Sequence, residues 1–199
     1  MDFKSVDVDV AARVFADEFG WECLVDPDDW RGAIKARADR HWVAGISNLD
    51  NPLYPPGTPP HVSYYLGVVD AAAVHGLAIS HEASSLLAPT PIADQGTLAT
   101  IVDPFGAVVS LWQPQTFTGW SHPPGPRTPG PVVHESRDPA AAERFYRREL
   151  GLRLKDADFT PPLPGDPLDG DAAWTVAIEV TGASMRAVHL DTGHRYLRR

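Results

Sequence analysis

One cysteine, Cys23, in 199 residues excludes an internal disulfide and any zinc site built from several thiolates. No apolar run approaches the roughly 18 residues needed to cross a bilayer as a helix, so no membrane role is expected. The opening MDFKSVDVDV has no basic stretch followed by an apolar one. It reads as lacking a signal peptide, and a cytoplasmic protein is the expectation. A basic stripe is also missing: residues 1–126 hold 15 Asp/Glu against 6 Lys/Arg, and residues 127–199 hold 11 of each. The acidic first part would repel phosphates, so nucleic acid is not an expected partner. Only the tail His194-Arg195-Tyr196-Leu197-Arg198-Arg199 is basic, and it reads as a solvated terminus. Neither a Gly-x-Ser-x-Gly elbow nor a Gly-rich phosphate loop occurs, which removes the usual signatures of a serine hydrolase or a nucleotide site. Cys23, after Trp21-Glu22, reads as a small buried apolar residue rather than a nucleophile.

Proline, by contrast, is abundant, with 20 residues. The clusters PLYPPGTPP (52–60) and PPGPRTPGP (123–131) read as stiff, extended connectors. They cut the chain into pieces at about 1–51, 61–118 and 130–199. The pieces resemble one another. VDVDVAARVFADEFGW (6–21) aligns with RDPAAAERFYRRELGL (137–152), so that Asp7 matches Asp138, Phe19 matches Leu150 and Gly20 matches Gly151. In each, an Asp caps a helix, apolar residues recur at helical spacing and Gly ends it. Asp70 opens a comparable alanine-rich helix in the middle piece. A strand precedes the cap in HVSYYLGVV (61–69) and VVHES (132–136), and two or three strands follow each helix. In the first piece Met1 to Val6 is a short opening strand, expected to pair poorly. A unit with one helix covers a single sheet face and requires a partner.

A βαβββ unit whose capping aspartates recur at 63 and 68 residues resembles the vicinal oxygen chelate superfamily, which includes glyoxalases, bleomycin-resistance proteins and extradiol dioxygenases. DPAAAERFYRRELGL, FADEFGW and GTLATIVDPFGAVVSLWQP, with its Asp-Pro-x-Gly turn, carry the resemblance. It implies an α+β fold in which paired βαβββ units form a curved, cup-like mixed sheet around a small ligand. The expected organisation is one cup from 1–118 (units 1–51 and 61–118), a Pro-rich linker at 119–131, and a third, unpaired half-domain at 132–199. Left unpaired, that piece would expose Trp174, Val176, Ile178 and Val188. A homodimer completing a shared cup is therefore expected, with packing on the outside of the first cup as the other possibility.

The resemblance also implies where a divalent metal would sit: His or Gln about seven residues before the capping Asp, and a carboxylate four residues after the Gly of Asp-Pro-x-Gly. Those positions here are Ser63, Pro131 and Ser110, and counting back from Asp7 runs off the chain. Hydroxyls and a proline are poor ligands for such an ion, so no metal is expected. What remains is an aromatic and hydroxyl-bearing surface of Trp42, Ser63, Tyr65, Ser110 and Trp112, suited to a small planar or aromatic organic molecule held for sequestration. The rival reading is a metal-dependent lyase, isomerase or dioxygenase using Fe, Mn, Zn or Ni at a displaced site. Its candidates are His61, which shares a strand face with Ser63, and His134, Glu179 and His189 in the third piece. His41, His75, His81, His122 and His194 read as surface or loop residues. A third reading is a degenerate tandem protein serving only as a dimerisation partner.

Overall fold

The computed structural model describes residues 1–25, 33–50, 54–166, 168, 170–179 and 185–199. Packing divides the chain into two compact units: Met1–Ser63 with Trp120–Gly130 and Ala177–Arg199, and Tyr64–Gly119 with Pro131–Val176. Each takes residues from more than one of the sequence pieces.

The first unit opens with β1 (Asp2–Ser5), α1 (Val8–Phe19), β2 (Glu22–Val25), β3 (Ile34–Ala38), β4 (His41–Asn48) and β5 (His61–Ser63), in sheet order β2-β3-β4-β1-β5. The second unit holds β6 (Tyr65–Gly67), α2 (Ala71–Ser80), β7 (Ser84–Ile92), β8 (Gly96–Val102) and β9 (Val108–Pro114), in sheet order β6-β9-β8-β7. It continues with β10 (Pro129–Ser136), α3 (Pro139–Arg144) running into a π-helical turn (Phe145–Glu149), β11 (Ala157–Thr160) and β12 (Ala172–Ile178). The last residues of β12 belong to the first unit, where Ala177 pairs in parallel with Leu197 of β14 (Arg195–Arg198). β14 in turn pairs antiparallel with β13 (Arg186–His189).

The capping logic of the sequence is realised three times. Asp7, Asp70 and Asp138 each accept a hydrogen bond at 2.9 Å from the backbone N–H three residues on. Gly20 ends α1 at φ 68°, a left-handed conformation that a glycine adopts without strain.

Four expectations are corrected. β1 does pair, in parallel with β4 and antiparallel with β5, although it has four residues; flanking strands on both edges make up for its shortness. The run 61–69 is two strands rather than one, broken at Tyr64. This side chain is buried, its carbonyl accepts from Ser110 N–H at 2.9 Å and its hydroxyl accepts from Val176 N–H at 2.7 Å. Such partners fix the residue locally, whatever the strand propensity of the run. The tail is not a solvated terminus. His194, Tyr196 and Leu197 are each 1% exposed, with His194 against Phe3 and Phe15 and Tyr196 edge-on to Phe19. Alternation along the strand turns Tyr196 inward despite the flanking arginines. Finally, Trp174, Val176 and Ile178 are buried within the chain itself, which removes the exposed patch that motivated a shared cup.

Gly96, opening β8, has no room for a side chain: a Cβ there would lie 2.5 Å from the Gln113 carbonyl oxygen and 2.6 Å from the Trp112 ring. Gly96→Ala is expected to push Trp112 aside and to destabilise the chain by about 1–3 kcal/mol, as overpacking does. Denaturant titration followed by tryptophan emission checks this, with both midpoint and native-state emission expected to shift.

Candidate functional site

The turn Asp103-Pro104-Phe105-Gly106 joins β8 to β9, with Gly106 at φ 103°. Asp103 Oδ1 accepts from the backbone N–H groups of Phe105 and Ala107, both at 2.9 Å, so the carboxylate shapes its own turn. Its Oδ2 accepts from His134 Nε2–H at 2.8 Å and from the Tyr146 hydroxyl at 2.7 Å. The Tyr146 oxygen accepts in turn from Trp174 Nε1–H at 3.0 Å. Burial first, and then the charge of Asp103, pushes the Tyr146 phenol well above its ordinary pKa, so it stays a donor. His134 is 0% exposed and is walled by the rings of Phe105, Tyr146, Phe159 and Trp174. With Nε2 donating to a carboxylate, its buried Nδ1 has no partner. His134 is thus a structural residue in a closed network, without the open face that a metal or substrate needs.

The strand pattern places the polar residues of the second unit on the other sheet face. Leu111 packs with Val68, Ala71 and Ala99 beneath α2. Its neighbours Ser110 and Trp112 therefore point away from the helix. Register sets Tyr65, Ser110 and Thr100 side by side across β6, β9 and β8, and Gly67, Trp112 and Leu98 in the next row. The Ser110 and Thr100 hydroxyls are hydrogen-bonded at 2.9 Å. Trp112 is half-buried, with its indole N–H donating to the Phe117 carbonyl at 3.1 Å. On β10, alternation turns Glu135 to the face opposite His134; it is 0% exposed and accepts from Thr175 Oγ1 at 2.8 Å. Tyr64 links the two parts of this unit through its bonds to Ser110 and Val176.

A second polar face lies in the first unit, and the sequence reading missed most of it. Asp2 is flanked in register by Gly45 and Ser63, and Lys4 by Ser47 and His61. Lys4 is 6% exposed and its ammonium lies 2.6 Å from Asp2 Oδ2. The Ser47 hydroxyl donates to Asp2, and the Tyr54 ring lies 5.5 Å from the Lys4 nitrogen. A carbonyl can only accept, so the 2.9 Å contact with Pro59 O places a proton on His61 Nδ1 and, in the neutral ring, leaves Nε2 as the acceptor. The available signal was the pattern Asp2-Phe3-Lys4, opposite charges at i and i+2 around an apolar residue.

The proposed ligand-binding set is therefore divided: Trp42 (on β4) and Ser63 lie in the first unit, while Tyr65, Ser110 and Trp112 come together in the second. The rival candidates are scattered likewise. Glu179 follows β12 and is exposed, with its carbonyl accepting from Arg127 N–H; His189 is exposed on β13, whose ladder partner is β14. The Cys23 thiol is pushed up by burial to about 11, which leaves it unreactive at neutral pH.

The positions at which the fold would hold a metal do not fit one. Ser110 offers a hydroxyl already bonded to Thr100, Ser63 another hydroxyl, and Pro131 no donor at all. Among the described residues, no three His, Cys, Asp or Glu side chains are grouped to hold an ion.

No protein-family model matches the chain. Over 191 residues it is 27% identical to a Mycobacterium bovis protein named as a glyoxylase, CFP32, covering 84% of this chain and 72% of that one. A 46-residue stretch, 23% of this chain and 15% of the relative, is 50% identical to an iron-dependent extradiol dioxygenase of Rhodococcus jostii. Among solved structures, the Mn(II)-bound glyoxalase from Novosphingobium aromaticivorans matches with a TM-score of 0.62 at 12% identity, over 99% of this chain and 80% of its own. The 2,2',3-trihydroxybiphenyl 1,2-dioxygenase of Sphingomonas wittichii matches at 0.56 and 13%, over 99% and 87%. Together these matches show that the chain shares the fold of those glyoxalase and extradiol dioxygenase structures. No helix among the described residues is long and apolar enough to cross a membrane.

Proposed function

We propose that the chain binds a small planar or aromatic organic molecule, without a metal, on the face of the second unit that carries Tyr65, Thr100, Ser110 and Trp112. The observation that carries this reading is Ser110. Where the fold's metal-using members would need an acid, a serine hydroxyl stands bonded to Thr100, beside a half-buried indole. Hydroxyls next to an aromatic ring hold a neutral planar ligand by stacking and hydrogen bonding. A divalent cation placed there would meet no charge to offset its desolvation. Binding rather than turnover is the simplest role for such a surface, as in sequestration.

Titration of the protein with substituted benzenes and naphthalenes, followed by tryptophan emission, tests this. Saturable quenching is expected, with affinity lowered roughly tenfold or more in Trp112→Ala, the order of loss for removing a stacking ring. Unchanged affinity in that variant would remove the site.

A second reading, an enzyme of the glyoxalase or dioxygenase kind, is favoured by the relatives and by the first-unit face, where the His61 Nε2 acceptor lies beside the Lys4–Asp2 pair. In a metal-dependent version, Fe, Mn, Zn or Ni would be present in stoichiometric amount in freshly purified protein and lost in His61→Ala.

A further inference from the structure

Arg186 of β13 and Arg198 of β14 stand directly opposite each other in their ladder. Like charges at directly paired positions destabilise a sheet unless something lies between them. Nothing in the described chain does so: neither arginine makes an ion pair, and Arg198 Nε is buried without a hydrogen-bond acceptor. A buried guanidinium N–H without an acceptor is among the costlier omissions in a folded protein. Glu18, a carboxylate near this face, is already engaged, accepting from the Tyr196 hydroxyl. Tyr196 lies two residues before Arg198 and so on the same strand face, and both guanidinium charges act on its phenol. The chain carries a formal charge of −9, so two cations side by side, with no ion pair among the described residues, are not part of a general basic surface.

We propose that Arg186 and Arg198 form a binding site for an oxyanion, the carboxylate or phosphate group of a small molecule, which sits between the two guanidinium groups and accepts from Arg198 Nε–H. The planar fork of each guanidinium matches a two-oxygen acceptor, and such charge-assisted bonds are the strong ones. The anion would supply what the ladder lacks, a negative charge between two positives and an acceptor for the orphaned donor. This site is separate from the Ser110 face and does not depend on the reading given for it.

Calorimetric titration with inorganic phosphate and, separately, with succinate, in buffer of matched ionic strength, tests the proposal. At least one anion is expected to bind with a dissociation constant below about 1 mM. Arg186→Gln changes an exposed side chain and keeps the fold; it is expected to weaken that binding roughly tenfold or more. Arg198→Gln should do the same, and if it fails to fold, Arg186→Gln alone decides. Binding of phosphate but not succinate, or the reverse, supports the site and identifies its chemistry. Absence of binding by both anions, or affinity unchanged in Arg186→Gln, overturns it.

Discussion

Asp103→Ala is expected to destabilise the protein by roughly 3–5 kcal/mol, the loss that follows when one member of a buried hydrogen-bonded charge network is removed. Four donors lose their acceptor at once: two backbone N–H groups in the turn, His134 Nε2–H and the Tyr146 hydroxyl. Three of them lie where water does not reach to replace it, since Ala107, His134 and Tyr146 are each 0% exposed. Asp103→Asn should be milder. The amide oxygen can keep the two turn bonds, and His134 can change tautomer to accept from the amide nitrogen. That change would place a proton on Nδ1, which has no acceptor, so the rescue is partial. Urea denaturation followed by far-UV circular dichroism measures the difference. A midpoint for Asp103→Ala within about 1 kcal/mol of the parent would mean that the network is not a main support of the second unit.

The second large effect is on acid stability and resides in the first unit. His194 is enclosed by Phe3 and Phe15, with ring nitrogens on the Lys4 carbonyl and the Thr192 hydroxyl, both at 3.0 Å. Burial, the largest cause, lowers its pKa from 6.5 to about 4; the charge of His61 adds to this, and the carbonyls of Lys4 and His61 oppose it. Because the folded value lies below the unfolded one, the unfolded chain binds the proton more readily between these limits. The stability contributed by neutral His194 is therefore complete above pH 6.5 and is lost as the pH falls from 6.5 towards about 4. A shift of this size corresponds to about 3 kcal/mol. Urea midpoints measured from pH 7.5 down to pH 4 should decline in the parent. They should decline less in His194→Gln, whose amide cannot take up a proton. Carboxylates titrate in both proteins, so the difference between the two curves isolates the histidine. Parallel curves would contradict the assignment.

What could be read in the sequence was local. Asp7, Asp70 and Asp138 announced their helices because a cap and the helix it starts lie within three residues of each other. Asp103-Pro104-Phe105-Gly106 announced a turn for the same reason, and counting on from Gly106 picked out Ser110 as a hydroxyl where an acid would serve a metal. The unreadable parts depend on distant partners. Asp103 bonds residues 31 and 43 positions away, and nothing near it in the chain marks it as the acceptor for His134 and Tyr146. Tyr64 divides an uninterrupted strand-like run because of a bond to Val176, 112 residues on. In the tail, three arginines concealed an alternation that turns Tyr196 into the core. Ser63 and Tyr65, two residues apart, would share a face of one continuous strand, but the strand breaks between them.

Binding of an aromatic ligand before and after exhaustive chelation tests the central claim most directly. If the hydroxyls of Ser110 and Thr100 and the indole of Trp112 form the site, the binding isotherm is the same with and without chelator, and added Mn(II) or Fe(II) leaves it unchanged. An affinity that collapses on chelation and returns with one of those ions would contradict the account.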